Sequence, residues 1–232
     1  MRTIGIIPAR GGSKSIPRKN IRLLGGKPLL QYTADAALRA QRLYRVILST
    51  DDEEIADLGK QFGLEVPFLR PMELAQDTTP TLPVIQHAVQ FLKKQGDWFD
   101  AVCLLQPTNP FRSSDVIDAC IEILEKRNAD TVVTILPVPL EYNPHWVYFE
   151  QENGFLHLST GEEVPIARRQ DLPPAFHREG SVYVTRCDII MEQGILYGKH
   201  MIGYLMDPKH SVNIDSTADW ERAESLLPVE KQ

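Results

Sequence analysis

The first residues that could do chemistry follow the first apolar segment of the chain. Residues 4–7 read as a short buried strand, and the loop after it combines paired glycines with several cationic side chains. Glycines let backbone N–H groups crowd around an anion, and cations can neutralise a polyphosphate. The residues of this opening loop that carry the pattern are Arg10, Gly11, Gly12, Ser13, Lys14, Arg18 and Lys19. The pattern is typical of a phosphate-binding loop.

The opening loop does not define a nucleotide site by itself. Paired glycines are common in ordinary turns, and basic residues on a surface loop are usually solvated. The chain also has neither the glycine spacing of dinucleotide-binding folds nor the Gly-Lys-Ser/Thr ending of the NTPase loop. Phosphate binding therefore depends on what the rest of the chain places beside this loop.

A second polar loop, residues 106–112, follows the strongly apolar segment 100–105. Its two prolines restrict the backbone just past the end of a predicted strand. Both this loop and the opening loop follow the carboxyl end of a predicted strand, and open α/β sheets bind their ligands at that edge. We therefore expect the two loops to face one pocket.

Asn213 and Asp215 form a third candidate group. They alternate around Ile214, so on an extended segment both side chains project the same way. A carboxylate and an amide placed like this could face a cation, although helix capping is the simpler interpretation of Asp215 taken alone. The polar, cationic stretch 168–174 has no helix or strand pattern and reads by default as a solvated loop.

The elements that must position these residues alternate between strand and helix. Short apolar runs predict strands, and amphipathic segments predict helices, with the acids of residues 52–54 read as caps. The predicted strands cover residues 4–7, 45–49, 65–69, 100–105 and 130–136, and the predicted helices cover residues 28–42, 50–61, 82–94 and 116–126. This alternation implies an α/β fold with a parallel sheet and right-handed crossovers.

The alternation stops between about residues 137 and 180, where prolines and aromatic residues accompany short alternating segments. We interpret this part as a small β-rich insertion in which a turn at Gly154 joins two strands, and which could act as a dimerisation arm, as a lid over the site, or as both. The remaining predicted elements are a strand at 181–185, a short helix at 188–193, a strand at 201–206 and a helix at 220–227 that ends at Pro228. With no separating linker, we predict a single domain over residues 1–232.

Composition excludes several classes of protein. The formal net charge of -6 over 232 residues argues against general nucleic-acid binding. No apolar run approaches the roughly 20 residues that span a bilayer, and no secretory leader is recognisable, so we expect a cytoplasmic protein with no membrane partner. Cys103, Cys120 and Cys187 are odd in number and widely spaced, which favours reduced packing residues over disulfides or a metal site.

Eight sequence pieces occur in an order that resembles one family over nearly the whole chain. They are IIPARGGSKSIPRKNI, STDDEEIA, the Arg-Pro pair at 70 and 71, DTTPT, LLQPTNPFR, RRQDLPP, GSVYV and NIDSTADW. The chain is similar to the acylneuraminate cytidylyltransferases, which make CMP-sialic acid and related CMP-activated nonulosonic acids. The resemblance implies a Rossmann-like fold with helices on both faces of the sheet, a homodimer joined through the arm, and Mg²⁺ dependence. The implied reaction joins CTP and a nine-carbon 2-keto sugar acid into a CMP-sugar and pyrophosphate.

The resemblance also implies roles for individual residues. Lys19, Arg10 and Asp215 match catalytic positions, and Lys19 is our first choice for stabilising charge at the phosphate. The positions that match the nucleotide site are Arg10, Gly11, Gly12, Ser13, Lys14, Lys19, Asn20, Arg70, Thr79 and Thr81. The positions that match the sugar-acid site are Gln106, Thr108 and Arg169, the last supplied by a partner chain's arm. Asp215, with Asn213 beside it, matches the magnesium site.

The sequence departs from the family pattern at two places. Asn213-Ile214-Asp215 stands where members commonly carry Asp-Ile-Asp, so metal binding would depend on Asp215, Asp219, water and the phosphates. The segment 178–181 reads Arg-Glu-Gly-Ser, where sialic-acid enzymes often show Asn-Gly-Ala. Legionaminic, pseudaminic or another modified nonulosonic acid is therefore an alternative to N-acetylneuraminate. The eight-carbon acid KDO ranks lower because its enzymes have a different opening loop.

Two further classes compete with this interpretation. A glycosyltransferase would share the strand-helix alternation, but such enzymes usually carry an Asp-x-Asp motif after a central strand, where this chain has Gln-Pro-Thr. A catalytically inactive nucleotide-binding protein would keep the opening loop, and the missing acid at position 213 is the feature that favours it.

Overall fold

The structure is a computed structural model that describes residues 1–227, apart from the side chain of His210. Its strands are β1 (Thr3–Pro8), β2 (Leu23–Leu24), β3 (Lys27–Pro28), β4 (Leu43–Ser49), β5 (Ala101–Leu104), β6 (Thr131–Pro137), β7 (Tyr148–Glu150), β8 (Leu156–Leu158), β9 (Phe176–Arg186) and β10 (Met201–Leu205). Its helices are α1 (Leu29–Arg39), α2 (Glu53–Gln61), α3 (Thr81–Lys94), α4 (Ser114–Lys126), α5 (Cys187–Met191) and α6 (Thr217–Leu226). The predicted end of the last helix at Pro228 lies outside the described residues.

Six strands form the central sheet, in the order β10-β6-β9-β5-β1-β4. β1 pairs in parallel with both β4 and β5, and β10 pairs in parallel with β6. β9 lies between β5 and β6 and is antiparallel to both. The mostly parallel, Rossmann-like α/β fold predicted from the sequence is therefore confirmed, with one antiparallel strand inside the sheet.

Helices cover both faces of this sheet because successive strand residues point to opposite sides. In β1, Ile7 packs with residues of α1 and α4 on one face, whereas Ile4 and Ile6 pack with residues of α3 and α5 on the other. A third, smaller cluster packs α6 against the segment before it, through Trp220, Val212 and Ile214. This last cluster holds the segment of Asp215 against the body of the domain.

The predicted strand at 65–69 is wrong. Only two isolated parallel bridges form there, Ile47 to Glu65 and Thr50 to Leu69. Pro67 lies midway between them and has no N–H to donate, so a continuous ladder cannot pass through this position. The segment nevertheless runs along β4 and delivers Arg70 to the carboxyl edge of the sheet, where its N–H donates to the carbonyl of Thr50 at 2.7 Å.

Of the predicted boundaries that differ from the structure, two lie near the predicted site residues. The strand predicted at 181–185 begins at Phe176, so part of the segment 137–180 belongs to the central sheet and pairs with β6. The last helix, predicted to begin at 220, begins at Thr217 because Ser216 and Asp219 form a capping box at its amino end. Asp52 caps α2 by accepting from the N–H of Ile55, as the sequence predicts.

The inserted segment contains a short hairpin of β7 and β8, whose loop includes Gly154 at φ +81°. A glycine suits this left-handed conformation because it has no Cβ to clash. One-turn 3₁₀ helices flank the hairpin, and the Trp146 indole N–H donates to the carbonyl of Ile166 at 2.6 Å. The exposed apolar side chains of this arm are Tyr142, Tyr148, Phe149, Phe155, Leu156 and Val164.

The three cysteines are all free, as the sequence predicts. Burial raises the pKa of both Cys120 and Cys187 to about 12, so neither thiol is an activated nucleophile. Within residues 1–227, no helix combines the length and the apolar character that crossing a bilayer requires.

Candidate active site

A cleft of about 420 Å³ opens at the carboxyl edge of the sheet, between the opening loop and the loop of residues 106–112. The two strand-end loops thus face one pocket, as expected from their places in the fold. The residues predicted for the site that line this cleft are Arg10, Gly12, Ser13, Lys14, Lys19, Asn20, Arg70, Thr79, Thr81, Gln106, Thr108 and Asp215. Gly11, Asn213 and Arg169, which were also predicted, do not line it.

The two glycines of the opening loop have different surroundings. A Cβ added at Gly11 would lie 2.5 Å from a carboxylate oxygen of Asp52, and its N–H donates to Asp51 at 3.2 Å. A Cβ at Gly12 would meet nothing within 4 Å. Gly11 therefore lets the opening loop pack against the loop after β4, and Gly12 faces the open cleft.

Arg18 is held away from the phosphate role that the loop pattern indicates. Its guanidinium donates to the carboxylates of Asp52 and Glu54. The hydrogen bond from Arg18 holds the pKa of Asp52 below its ordinary value, and the same contact raises the pKa of Arg18. Arg18 adopts a φ of +54°, which marks a bend of the opening loop. Its hydrogen bonds to Asp52 and Glu54 attach this bend to the start of α2.

Two other cations of the opening loop share one carboxylate. Arg10 Nη1 lies 2.5 Å from Asp77 Oδ1, and Lys14 Nζ lies 2.6 Å from Asp77 Oδ2. Hydrogen bonds from Lys14 and then Arg10 lower the pKa of Asp77, which also lines the cleft. Sequence reasoning missed Asp77 as a site residue, although it begins the DTTPT piece. An anion entering the cleft would compete with Asp77 for both cations.

Lys19 is fixed from the opposite side of the cleft. Its side chain is 12% exposed, and Nζ donates to the carbonyl of Ile214 at 2.7 Å and lies 3.3 Å from Asp215 Oδ1. Its neighbour Asn20 is buried and donates to the carbonyl of Arg10 at 2.9 Å, which closes the opening loop on itself. The ammonium of Lys19 is therefore held at a defined place beside Asp215.

Arg70 brings a buried guanidinium to the cleft. Its Nη2 donates to the carbonyl of Ser49 at 2.6 Å, and burial lowers the pKa of Arg70. Thr81 begins α3, and Thr79 lies just before it with its hydroxyl donating to the carbonyl of Glu73 at 3.3 Å. All three residues line the cleft, so the geometry does not choose between the two threonines.

The loop of residues 106–112 is held by buried hydrogen bonds. Arg112, which is 4% exposed, donates to the carbonyls of Gln106 and Asn109. The carbonyl of Thr108 accepts from the N–H of Ile214 at 2.8 Å, which ties this loop to the segment of Asp215. The hydroxyl of Thr108, a residue that lines the cleft, is buried without a hydrogen-bond partner among the described residues.

The donor set for a divalent cation centres on Asp215. Asn213 Nδ2 donates to Asp215, while Asp219 Oδ2 accepts from the N–H groups of Asp215 and Ser216 and from the Ser216 hydroxyl. The described residues contain no cluster of three or more His, Cys, Asp or Glu that could hold a metal. Since Mg²⁺ is commonly held by one or two carboxylates plus water and substrate phosphates, Asp215 fits an ion that enters with a nucleotide.

Arg169 lies in the arm, in a one-turn helix over Arg169–Asp171, and is exposed. Its neighbour Arg168 pairs with Asp171, with Nε at 2.6 Å from Oδ2. Within one chain, therefore, the structure does not bring Arg169 to the cleft.

Sequence reasoning also missed a buried polar group behind the loop of residues 106–112. Glu179, Asn109 and Arg112 are each at most 6% exposed. The available signal was Glu179 itself, a charged residue two positions before the predicted strand at 181–185. An ionisable residue in a segment that otherwise reads as a buried strand requires hydrogen-bond partners.

An α/β sheet that places a cationic loop, a second strand-end loop and a carboxylate around one cleft defines the nucleotide-binding class of Rossmann-like proteins. The family profile described as cytidylyltransferase matches residues 4–207. The chain therefore belongs to the cytidylyltransferase family, and the resemblance recognised in its sequence pieces is confirmed.

Three similar proteins extend this result. The CMP-N,N'-diacetyllegionaminic acid synthase of Legionella pneumophila is 32% identical over 100% of this chain and 99% of its own length. The pseudaminic acid cytidylyltransferase of Campylobacter jejuni is 31% identical over 99% of this chain and 97% of its own. The solved structure of a CMP:2-keto-3-deoxy-manno-octonic acid synthetase complexed with CTP is 15% identical, with a TM-score of 0.72 over 97% of this chain and 98% of that one. At that identity the last likeness shows the fold alone.

Proposed function

We propose that this protein is a cytidylyltransferase that transfers CMP from CTP to the anomeric C2 hydroxyl of a nonulosonic acid and releases pyrophosphate. The observation that carries the proposal is the single cleft in which Arg10, Lys14 and Lys19 face Gln106 and Thr108. Membership of the cytidylyltransferase family supports it, and so do the two relatives that span almost the whole chain. A cytoplasmic location, where CTP is available, is part of the proposal.

The chemistry needs charge stabilisation more than it needs a nucleophile from the protein. The sugar hydroxyl gives its proton to water as its oxygen forms a bond to the α-phosphorus of CTP, and the bond from that phosphorus to the bridging oxygen breaks. The leaving pyrophosphate takes the electron pair, so negative charge grows on the bridging oxygen. Preorganised cations lower the barrier of such a step because they need no reorganisation while it proceeds.

Lys19 is the residue proposed to meet this developing charge. Its ammonium is mostly shielded from solvent and is fixed by the carbonyl of Ile214, whereas Lys14 is 81% exposed. Arg10 and Lys14 would bind the triphosphate after exchanging Asp77 for phosphate oxygens. Arg70, Thr79 and Thr81 would contact the rest of the nucleotide on the other side of the cleft.

Mg²⁺ is proposed to enter with CTP, neutralising phosphate charge when bound. Asp215 would hold it, and water and phosphate oxygens would complete its ligands. Asn213 is a weak candidate because its amide already donates to Asp215. In the free protein Asp215 pairs with Lys19, so the same carboxylate would link the cation to the lysine.

The sugar acid is proposed to bind at Gln106 and Thr108, with Arg169 supplied by the arm of a second copy. The exposed apolar side chains of the arm, among them Phe149 at 57% and Phe155 at 72%, support a homodimer because such residues are usually covered. The two relatives are named for legionaminic and pseudaminic acids, so we propose a modified nonulosonic acid as the acceptor ahead of N-acetylneuraminate.

The test is a panel of sugar acids, each incubated with CTP and Mg²⁺ while pyrophosphate release is followed. We expect release that requires all three components, with legionaminic or pseudaminic acid as the best acceptor. Reactions with UTP in place of CTP, or without Mg²⁺, serve as controls. Calorimetry that detects CTP binding, together with no pyrophosphate from any acid, would contradict the proposal and favour an inactive nucleotide-binding protein.

A further inference from the structure

A buried carboxylate behind the cleft connects two of the segments that carry cleft residues. Glu179 on β9 is 6% exposed and accepts hydrogen bonds from Nδ2 of Asn109 and from the hydroxyl of Ser211 at 2.6 Å. The N–H and hydroxyl of its near neighbour Ser181 also donate to it. Glu179, Asn109, Ser181 and Ser211 are called the Glu179 cluster below. None of the four lines the cleft.

Two members of the cluster lie on the segments that carry predicted site residues. Asn109 belongs to the loop that presents Gln106 and Thr108, and Ser211 begins the segment that presents Asp215. A single side chain on the rigid central sheet therefore holds both segments at once. A carboxylate can do this because each of its oxygens accepts more than one hydrogen bond.

The connection continues from these segments to Lys19. The carbonyl of Thr108 accepts from the N–H of Ile214 at 2.8 Å, and the carbonyl of Ile214 accepts from Lys19 Nζ at 2.7 Å. The spacing between the loop of residues 106–112 and the ammonium of Lys19 thus depends on the position of residues 211–215. Ser211 is the residue through which Glu179 is hydrogen-bonded to that segment.

The charged form of Glu179 is stable despite its burial. Burial by itself would raise the pKa of Glu179, but the hydrogen bonds from Ser181, Ser211 and Thr134 together outweigh burial and hold the pKa below its ordinary value. Hydrogen bonds to an ionised acceptor are stronger than neutral ones. Near the loop, the guanidinium of buried Arg112 adds a compensating positive charge.

We propose that Glu179 is a positioning residue for the transfer reaction: through Asn109 and Ser211 it fixes the sugar-acid side of the cleft relative to Lys19 and Asp215. The inference rests on the proposed function. It assigns a task to a residue that touches neither substrate. It also predicts that the alignment of the sugar acid depends on Glu179, whereas the contacts of the opening loop with CTP do not.

The first test compares Glu179→Gln and Ser211→Ala with a control, Thr134→Val. Glu179→Gln replaces an acceptor with a group that also donates, so the donors of Asn109, Ser181 and Ser211 cannot all be satisfied. Thr134 on β6 contacts the same cluster from the sheet side, through Ser181, Val182 and the Glu179 carboxylate itself, and its hydrogen bonds reach neither cleft segment. Thr134→Val therefore disturbs the buried network without releasing either segment.

Hydrogen–deuterium exchange of the free proteins tests the positioning role and does not require an activity assay. We expect Glu179→Gln to speed exchange in peptides covering 106–112 and 211–216 by about tenfold, since local opening governs exchange. Ser211→Ala should affect mainly 211–216, and Thr134→Val should leave both peptides unchanged. Equal acceleration across the whole chain in Glu179→Gln would overturn the proposal and leave Glu179 as a purely structural residue.

Kinetics supply the second readout. For Glu179→Gln we expect kcat/KM for the sugar acid to fall by about 10- to 100-fold, because small misplacements of a reactant are costly. The dissociation constant for CTP, measured without sugar acid, should stay within about twofold of wild type. Parallel losses for CTP and for the sugar acid would overturn the proposal. If the wild-type protein turns over no sugar acid, the proposed function fails while the exchange experiment still decides the role of Glu179.

Discussion

The opening loop and the loop of residues 106–112 line the same cleft but are held in different ways. Arg10 and Lys14 of the opening loop pair with Asp77 through side chains that are about one-third or more exposed. The loop of residues 106–112 is held by Arg112 and Asn109, which are 4% and 1% exposed. Exposed ion pairs contribute little and exchange partners easily, whereas buried hydrogen bonds are costly to break. One side of the cleft is thus built to change partners, and the other to stay in place.

Lys19 belongs to the opening loop, but its ammonium is hydrogen-bonded to the carbonyl of Ile214, in a segment tied to the fixed side of the cleft. For that reason we expect Lys19→Ala to have the largest effect on activity, lowering kcat by about a thousandfold, as the loss of a preorganised charge does. Lys14→Ala is the matched control, and it should mainly raise KM for CTP, by about tenfold or less. Single-turnover pyrophosphate release separates the two effects. A normal kcat in Lys19→Ala, with the fold intact by circular dichroism, removes Lys19 from the mechanism.

A pair of conservative arginine substitutions compares the two kinds of contact directly. Arg112→Lys keeps the charge but replaces the planar guanidinium, whose Nη2 donates to the carbonyls of Gln106 and Asn109, with a shorter ammonium, so we expect a loss of about 1–3 kcal/mol of unfolding free energy. Arg18→Lys alters a guanidinium whose carboxylate partners are partly exposed, and it should cost less than about 1 kcal/mol. Urea denaturation measures both values. Equal losses would mean that the two loops do not differ in how firmly they are held.

The pH dependence of stability tests the contribution of Glu179, which holds the fixed side of the cleft. The folded protein holds the pKa of Glu179 below its ordinary value, so the stability that this carboxylate adds is complete above the unfolded pKa of about 4.3. That stability is lost as the pH falls through the folded pKa. The difference in unfolding free energy between wild type and Glu179→Gln should therefore stay constant from about pH 8 to pH 5.5 and shrink in more acidic solution. A difference that grows on acidification would contradict the sign of this shift.

Sequence reasoning identified the cleft better than it identified what holds the cleft in place. The strand-helix alternation predicted the fold, and the two strand-end loops predicted that Gln106 and Lys14 face the same pocket. The partners of these residues were not predictable because they come from distant parts of the chain. Asp77 lies 67 residues from Arg10, and Glu179 lies 70 residues from Asn109. No local spacing reports such contacts.

The errors in the elements have the same origin. The segment at 65–69 has the β-branched and aromatic composition of a strand, but Pro67 removes a donor that a ladder requires. The antiparallel place of β9 inside the sheet is set by the returning chain and leaves no periodic signal. From its type and position alone, Arg18 reads as a phosphate ligand. From sequence alone its carboxylate partners, Asp52 and Glu54, read only as helix caps.

Asp77 gives the smallest expected effect and tests the exchangeable side of the cleft. In the free protein Asp77 forms ion pairs with both Arg10 and Lys14. CTP must therefore displace Asp77 before these cations can bind phosphate. Asp77→Asn removes the competing charge, and we expect CTP to bind about three- to tenfold more tightly, in line with the modest free energy of partly exposed ion pairs. Calorimetric titration with CTP at neutral pH, well above the lowered pKa of Asp77, measures the change. Asp57→Asn is the matched control, since that exposed carboxylate pairs only with Lys60 among the ion pairs of residues 1–227. Weaker binding in Asp77→Asn would show instead that Asp77 preorganises Arg10 and Lys14 for the nucleotide, which would place the opening loop with the fixed side of the cleft.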